Sequence, residues 1–571
     1  MDSLVDINYI YDSTVDKSSL DANRLLIKQK NLTPVNDTQR SGSGYSGGKI
    51  IIDANSFGNS SDYIDWANAY ITLPYRVSVE DTVAGDMGTV ASANLEPSLL
   101  VALKNNSLIE SVRVEQNGRV IINETANLSH LINFVQHCTT TQDGVNTDTR
   151  PNAYYPDDFN QSSFFTAGIA GVNNVKQSNP AVGATALGVN LNVNTGMLKR
   201  QYALFPPEDT TLTTDAQKRL ELISRQNVPA FPKRGTAGTI TLCDIQFIAV
   251  IYLRDLADYF KKHPISKGCS YKITLTINQA TTTFTTTSST TTPFSTLPAI
   301  STSLAGSGST VQPALLCAGP DTANASATWG TATTHTLRLL SRVDQTYTVI
   351  GTDGATSTID ALQNGVIMYV PSYILSEEYE SKLLSSPVIT RNPYQVNGMT
   401  LTNLTANAPI NAQLYGAVSN PRALIIIPQY SQDSSAQTQP SQMSPYNPSP
   451  AVSDPFLSLT RLQIRVNSKP ILPAPISYGF DAFINNTSRI FKLNGGQTEL
   501  TSGQIDYKKF VQNYRYYAFD LDLLDASQRD IPQLISLEAF NNSNVKIDLY
   551  IFCLYETTAN FDLLRGSVDV M

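Results

Sequence analysis

The residues best equipped for chemistry are His137 and Cys138, adjacent in a chain with four histidines (His130, His137, His263, His335) and five cysteines (Cys138, Cys243, Cys269, Cys317, Cys553). An imidazole beside a thiol can generate a thiolate nucleophile or share a metal ion. Neighbouring side chains on an extended strand point to opposite faces, however, so a joint role needs a bend, and a buried histidine beside a buried thiol is the plainer reading. Asp157-Asp158 could serve as paired carboxylates or a calcium site, yet Asp-Asp after Pro156 is the composition of a solvated turn. A G-x-G-x-x-G pattern (Gly42 to Gly47) and a G-x-S-x-G pattern (Gly44 to Gly48) overlap inside one Gly/Ser stretch. Neither has the preceding strand and following helix that a phosphate cradle or nucleophile elbow requires. The sequence contains no P-loop, H-E-x-x-H or C-x-x-C motif. It therefore nominates no catalytic, cofactor-binding or metal-ligating residue, and the expectation is a protein that is not an enzyme.

The bulk numbers point the same way. At 571 residues the chain exceeds one core, and two large units fit it best. Charged residues make up 15%, against roughly 25% in an ordinary soluble domain. Either Ser, Thr, Asn and Gln carry the solvation, or much of the surface is covered by partners. The net charge of −8 argues against a broad phosphate-neutralising face and so against direct nucleic-acid binding. The scattered, odd set of cysteines suits free structural thiols. Neither a signal peptide nor an apolar run long enough to span a membrane is recognisable, so a membrane span and export by a signal peptide are not expected.

The elements that would position any site are strands. Leu108 to Ile122 alternates Val112 and Val114 with Arg113 and Glu115, and Asn117-Gly118 supplies the two positive-φ residues of a type I′ hairpin turn. About 350 residues later Leu459 to Leu472 repeats the pattern, with Asn467-Ser468 at the turn. Ile71-Thr-Leu-Pro74 is likewise answered by Ile425-Ile-Ile-Pro428, and Lys272 to Ile277 by Lys546 to Ile551. Three features in the same order describe a β-sandwich present twice, and long loops between strands suit a jelly roll better than a meander. Further strands are read at Lys49–Asp53, Tyr63–Tyr75, Ile245–Tyr252, Gly365–Val370, Pro421–Pro428 and Tyr514–Leu524, with Pro74 expected at a strand end or edge. Helical turns are read at Thr214–Arg225, Leu253–Lys262 and Ser376–Leu384. Residues 1–48 read as a flexible arm. The stretch of about 123–240 reads as a long functional excursion, and the Thr-rich 279–334 as a surface loop or extended excursion. The expected fold class is all-β: two tandem eight-stranded jelly-roll sandwiches, 49–335 and 336–571, with long loop insertions and a few short helices.

Several stretches also carry a family resemblance. Lys49-Ile-Ile-Ile-Asp53, Tyr63-Ile-Asp-Trp66 and Tyr70-Ile-Thr-Leu-Pro74 belong to it, as do Leu253-Arg-Asp-Leu-Ala-Asp-Tyr-Phe260 before Lys272-Ile-Thr-Leu-Thr-Ile-Asn278, Val370-Pro-Ser-Tyr-Ile-Leu375, Asn420 to Pro428 and Ser458 to Asn467. In order and spacing they resemble the double jelly-roll major capsid proteins of eukaryotic DNA viruses, especially those of polinton-like viruses and virophages. The resemblance runs from residue 49 to about 556, contains no catalytic signature, and includes neither the arm nor the Thr-rich stretch. It implies a homotrimeric, pseudo-hexagonal capsomer that tiles an icosahedral virion shell. It also implies assembly inside the host cell, contacts with neighbouring capsomers, penton and minor capsid proteins, and proximity to an internal membrane. The alternative from the residues alone is a carbohydrate-binding or carbohydrate-active β-sandwich, for which the aromatic residues and Asp/Asn-rich loops speak. No cofactor is expected under either reading.

Overall fold

Alternation of apolar and polar residues decides most strands. In Lys272–Ile277 the side chains of Ile273, Leu275 and Ile277 are buried while Lys272, Thr274 and Thr276 face outward. In the computed structural model the described residues of the first unit form eight principal strands, with shorter or inserted ones beside them. They are β1 (Ile27–Asn36), β2 (Lys49–Asp53), β3 (Tyr70–Asp81), β4 (Ile109–Gln116), β5 (Arg119–Ile122), β6 (Ile240–Tyr252), β7 (Lys272–Ile277) and β8 (Ile367–Leu375). Eight more follow: β9 (Tyr394–Leu404), β10 (Ala408–Val418), β11 (Pro421–Tyr430), β12 (Leu459–Val466), β13 (Lys469–Pro470), β14 (Tyr517–Asp520), β15 (Gln533–Asn541) and β16 (Ile547–Glu556). The structure describes chiefly residues 27–38, 48–81, 108–140, 240–277, 334–343, 365–431, 458–491, 514–521, 531–543 and 546–570, with shorter pieces between them.

The strand order is the same in both units. The first pairs β1-β8-β3-β6 in one sheet and β2-β7-β4-β5 in the other; the second pairs β9-β16-β11-β14 and β10-β15-β12-β13. Each strand thus has its counterpart eight strands on. Both hairpins turn through left-handed pairs, Asn117 (φ 50°) with Gly118 (φ 78°) and Asn467 (φ 49°) with Ser468 (φ 66°), as the type I′ turn demands. A 12-residue helix follows each hairpin, α1 (Leu128–Thr139) and α5 (Phe480–Phe491). Between them lie α2 (Leu253–Leu256), α3 (Asp258–Lys261) and α4 (Glu377–Ser385).

The strand pairing corrects three expectations. Residues 27–36 are not free arm but β1, paired along β8 from Ile27↔Leu375 to Asn36↔Ile367. A division at 335/336 cuts the strand Thr334–Arg342, which pairs with β3, and strands β8 on the wrong side, since β8 pairs with β1 and β3. The counterpart of β7 is β15, not Lys546–Ile551: β7 lies between β2 and β4 as β15 lies between β10 and β12, whereas β16 lies between β9 and β11 as β8 lies between β1 and β3. Within the Thr-rich stretch, Ala280–Thr287 is a strand, the extended one of the two forms expected there.

Other details agree or differ locally. Pro74 lies inside β3, but β8 pairs only with Tyr70–Thr72 and the strand Thr334–Arg342 only with Arg76–Asp81, so the proline stands in the gap on that side. The Leu253–Lys262 helix breaks at Ala257, which is extended (φ −153°, ψ 137°), into α2 and α3. The helix read at Thr214–Arg225 lies outside the described residues. The chain runs Ala423 to Ile427 in β11 and Ile547 to Leu554 in β16 are buried on both faces, which explains their near-continuous apolar sequences. One face meets the second unit's own core, and the first unit covers the other.

Candidate functional site: the seam between the two units

The seam begins where β5 gives way to α1. Gln395 on β9 donates Nε2–H to the Ile121 carbonyl (2.9 Å), Thr125 donates its hydroxyl to the Val396 carbonyl (2.9 Å), and Asn127 Nδ2 lies 3.4 Å from Thr400 Oγ1. Asn127 takes the left-handed conformation (φ 58°) that opens α1, and its N–H donates to Glu110 (2.9 Å). Gly398 is required on the facing strand, because a Cβ there would lie 2.9 Å from Thr125 Cγ2 and 3.3 Å from the Ala126 carbonyl oxygen.

Helix α1 then lies across the outer face of the second unit's sheet. His130 stacks on Tyr550 of β16 (centroids 4.5 Å apart), and its Nδ1 accepts from Gln429 Nε2 of β11 (3.0 Å). That donor fixes the proton of the neutral ring on Nε2. Burial holds the His130 pKa down, to about 4. One turn on, Phe134 meets Tyr516 edge-on (4.9 Å) and Phe491 of α5 (5.8 Å). His137 Nδ1 is 3.1 Å from the Tyr516 hydroxyl, and its ring is 4.3 Å from that of Tyr514. Cys138 is fully buried, and burial pushes its thiol well up.

The C-terminal residues close the seam from the other side as a strap, β17 (Ala559–Asp562) and β18 (Val568–Val570). Arg119, just past the first hairpin turn, holds Asp569 (2.9 Å) and the Val570 carbonyl (2.7 Å). Gln116 donates to the Gly566 carbonyl (2.7 Å) and accepts from the Val568 N–H (3.3 Å), while the Lys267 N–H donates to the Leu563 carbonyl (2.7 Å). Beneath the strap, His263 Nδ1 faces the Pro264 carbonyl (2.6 Å), so its Nε2 is the acceptor for the Tyr271 hydroxyl (2.8 Å); Tyr271 and Tyr259 share a bond of 2.6 Å. Phe561 of β17 covers the His263 ring (4.8 Å). Burial lowers His263 to about 4, raises Cys269 to about 12, and pushes both tyrosines well up.

This arrangement fastens the two units to one another. A neutral imidazole beside thiols and phenols held in their protonated forms supplies no nucleophile near neutral pH. The structure separates the residues nominated for chemistry. His137 and Cys138 are adjacent on a helix rather than on a strand, both are buried, and His137 is engaged with Tyr514 and Tyr516. His130 lies on the same helix, and His263 is under the strap. His335 falls in the strand Thr334–Arg342, its side chain outside the described residues, as are Asp157, Asp158 and Gly42 to Gly44. Gly48 leads directly into β2, not into a helix. Among the described residues no three His, Cys, Asp or Glu side chains gather as a metal site, and no helix is long and apolar enough to cross a membrane. Sequence reasoning missed the seam because α1 was hidden in a polar stretch. The available signal was Leu128, Leu131, Ile132 and Val135 recurring at helical spacing.

No protein-family model matches the sequence, and no curated protein does. Solved structures do. A chain in the 3.5 Å cryo-EM structure of the Sputnik virophage is similar over 96% of this chain and 89% of its own, at 12% identity and TM-score 0.50. The mavirus major capsid protein matches at 10% identity (100% and 96% covered, TM-score 0.46) and the Faustovirus major capsid protein at 9% (97% and 94%, TM-score 0.43). The fold is a double jelly roll. In that fold each jelly roll is one of the two units above, and the seam is the contact that makes them one block.

Proposed function

We propose that this chain is a major capsid protein of a double-stranded DNA virus, of the kind carried by virophages and polinton-like viruses, acting in the virion shell. The carrying observation is the repetition, in two units locked side by side by α1 and the strap, of the order of eight principal strands, in a fold shared with a chain of a virophage particle. A building block of this shape has a job that is geometric. Two equivalent units per chain and three chains per capsomer give six near-equivalent sides, which tile an icosahedral face beside neighbouring capsomers, penton and minor capsid proteins. Low charge fits walls buried between subunits, and 27 tyrosines and 20 phenylalanines suit interface cores. Chemistry at the seam is structural under this reading. Mass photometry of the purified protein should give a species of three times 62.2 kDa; a stable monomer at micromolar concentration overturns the capsomer.

A further inference from the structure

The two hairpin turns share a backbone conformation and differ in how their asparagines are held. Asn467 is tied through both ends of its side-chain amide: Nδ2–H donates to Gln533 Oε1, and Oδ1 accepts from the Leu534 N–H (2.8 Å). Its own backbone N–H donates to the Leu534 carbonyl (2.8 Å). Asn117 is exposed and its side chain enters no hydrogen bond. Nothing lies within 4 Å of the place a Cβ would take on Gly118. The tip of the first hairpin is therefore free to move, as exposed turn tips of small and polar residues are.

A free asparagine amide before a glycine is a reactive pair, because glycine has no Cβ to shield its backbone nitrogen. When the Gly118 nitrogen attacks Asn117 Cγ, the N–Cγ bond forms, the Cγ–Nδ2 bond breaks, and ammonia leaves with the proton that the Gly118 nitrogen gives up. Water then opens the five-membered imide. Cleavage at Cγ leaves aspartate, and cleavage at the main-chain carbonyl leaves isoaspartate, whose chain runs on through Cγ. The same dipeptide recurs at Asn397-Gly398 in β9, where the fold blocks this chemistry. Gly398 pairs with Phe552 of β16, the place of its Cβ is 2.9 Å from Thr125 Cγ2, and the Asn397 carbonyl accepts from the Tyr415 hydroxyl (2.8 Å). Exposure and freedom, not the dipeptide, separate the two positions.

We infer that Asn117 is a site of spontaneous deamidation, and that its isoaspartate form loosens the C-terminal strap. The two residues flanking the turn, Gln116 and Arg119, face each other across the hairpin, and both hold the strap: Gln116 at Gly566 and Val568, Arg119 at Asp569 and Val570. Isoaspartate adds a methylene to the main chain of a two-residue turn whose fit depends on two adjacent positive φ values. That displaces Gln116 against Arg119, and with them the bonds to the strap. Aspartate leaves the backbone path unchanged, and Asp-Gly suits the same turn, so this product keeps the strap in place. The reaction needs only water and the folded chain, whatever the chain assembles into.

Peptide mass spectrometry of the full-length protein aged in mildly alkaline buffer reads the amide-to-acid mass change at each asparagine, and fragmentation separates isoaspartate from aspartate. Native Asn117 should react roughly 10- to 100-fold faster than Asn467, whose two side-chain bonds must break first, and faster than Asn397 as well. In denaturant Asn117 and Asn397 should react alike. Native Asn117 reacting no faster than Asn397 overturns the site. Hydrogen exchange over residues 559–570 tests the coupling, with Asn117→Gln, whose longer side chain closes the ring slowly, aged in parallel. Exchange should quicken in aged wild type by roughly fivefold for each strap bond lost and stay at its fresh value in aged Asn117→Gln. Unchanged exchange in wild type rich in isoaspartate, or equal quickening in the aged variant, overturns the coupling.

Discussion

Gly566 is where the strap comes closest to the first unit, and Gly566→Ala tests that fastening. Its φ is +61°, and a Cβ would lie 2.1 Å from the Gly268 carbonyl carbon and 2.3 Å from the Cys269 nitrogen, backbone atoms that no side-chain rotation can clear. Gly268 cannot yield easily, being itself at φ +64° with its own Cβ position 3.4 Å from the Gly58 carbonyl oxygen. The left-handed conformation costs alanine about 1–2 kcal/mol, and forcing a methyl into filled space about 1–3 kcal/mol more, so about 2–5 kcal/mol is at stake. Release of the strap limits that cost. It would expose Phe561 and Leu563, each 1% accessible in the folded chain, and break the bonds from Gln116 and Lys267. Opening of β17 and β18 should therefore become easier by about 2 kcal/mol or more, a loss of protection on the order of 30-fold. Hydrogen exchange read by mass spectrometry over residues 559–570 measures it, with Gly479→Ala, where nothing lies within 4 Å, as the neutral control. Protection in the strap unchanged by Gly566→Ala would refute the close approach and the clamp built on it.

Three further outcomes follow from the seam. Phe134 is fully buried between Tyr516 and Phe491, so Phe134→Ala should cost about 3–5 kcal/mol, seen as a lower urea midpoint, with Phe134→Leu costing clearly less. His130 and His263 are held at about 4 against an ordinary 6.5, so the stability they leave intact is complete above pH 6.5 and falls as acid protonates the unfolded chain first, down to about pH 4. Melting temperature measured from pH 7.5 to 4.5 should drop through that window, and less steeply in His130→Gln; an equal slope in the variant would count against its burial at the seam. The buried thiols of Cys138, Cys269 and Cys553, the latter two pushed up to about 12, should resist iodoacetamide at pH 8 in the native protein and react after unfolding, as mapped by peptide mass spectrometry.

Local signals made part of this fold legible. Asn117-Gly118 announced a tight turn because few residue pairs accept two positive φ values, and the apolar runs of β11 and β16 announced strands covered on both faces. What failed was non-local. β1, Ile-Lys-Gln-Lys-Asn-Leu-Thr-Pro-Val-Asn, is polar because it lies at a sheet edge with one face open, and its partner β8 is more than 300 residues away. Short apolar strings match one another readily, so Lys272–Ile277 resembles Lys546–Ile551 in sequence; only the ladders show β15 as its counterpart. Helix α1 escaped because its second face is polar, carrying His130, Asn133 and His137. That face is buried by another unit rather than by water, so the apolar stripe alone understated it. The seam needed both units in view.

The most direct test of the central claim is the shape of the assembled protein. Two-dimensional class averages of the purified chain in cryo-EM should show three-fold particles with six lobes around the rim, two jelly rolls from each of three chains. Particles with only two lobes, one chain each, at the concentration where the protein is otherwise stable would contradict the account.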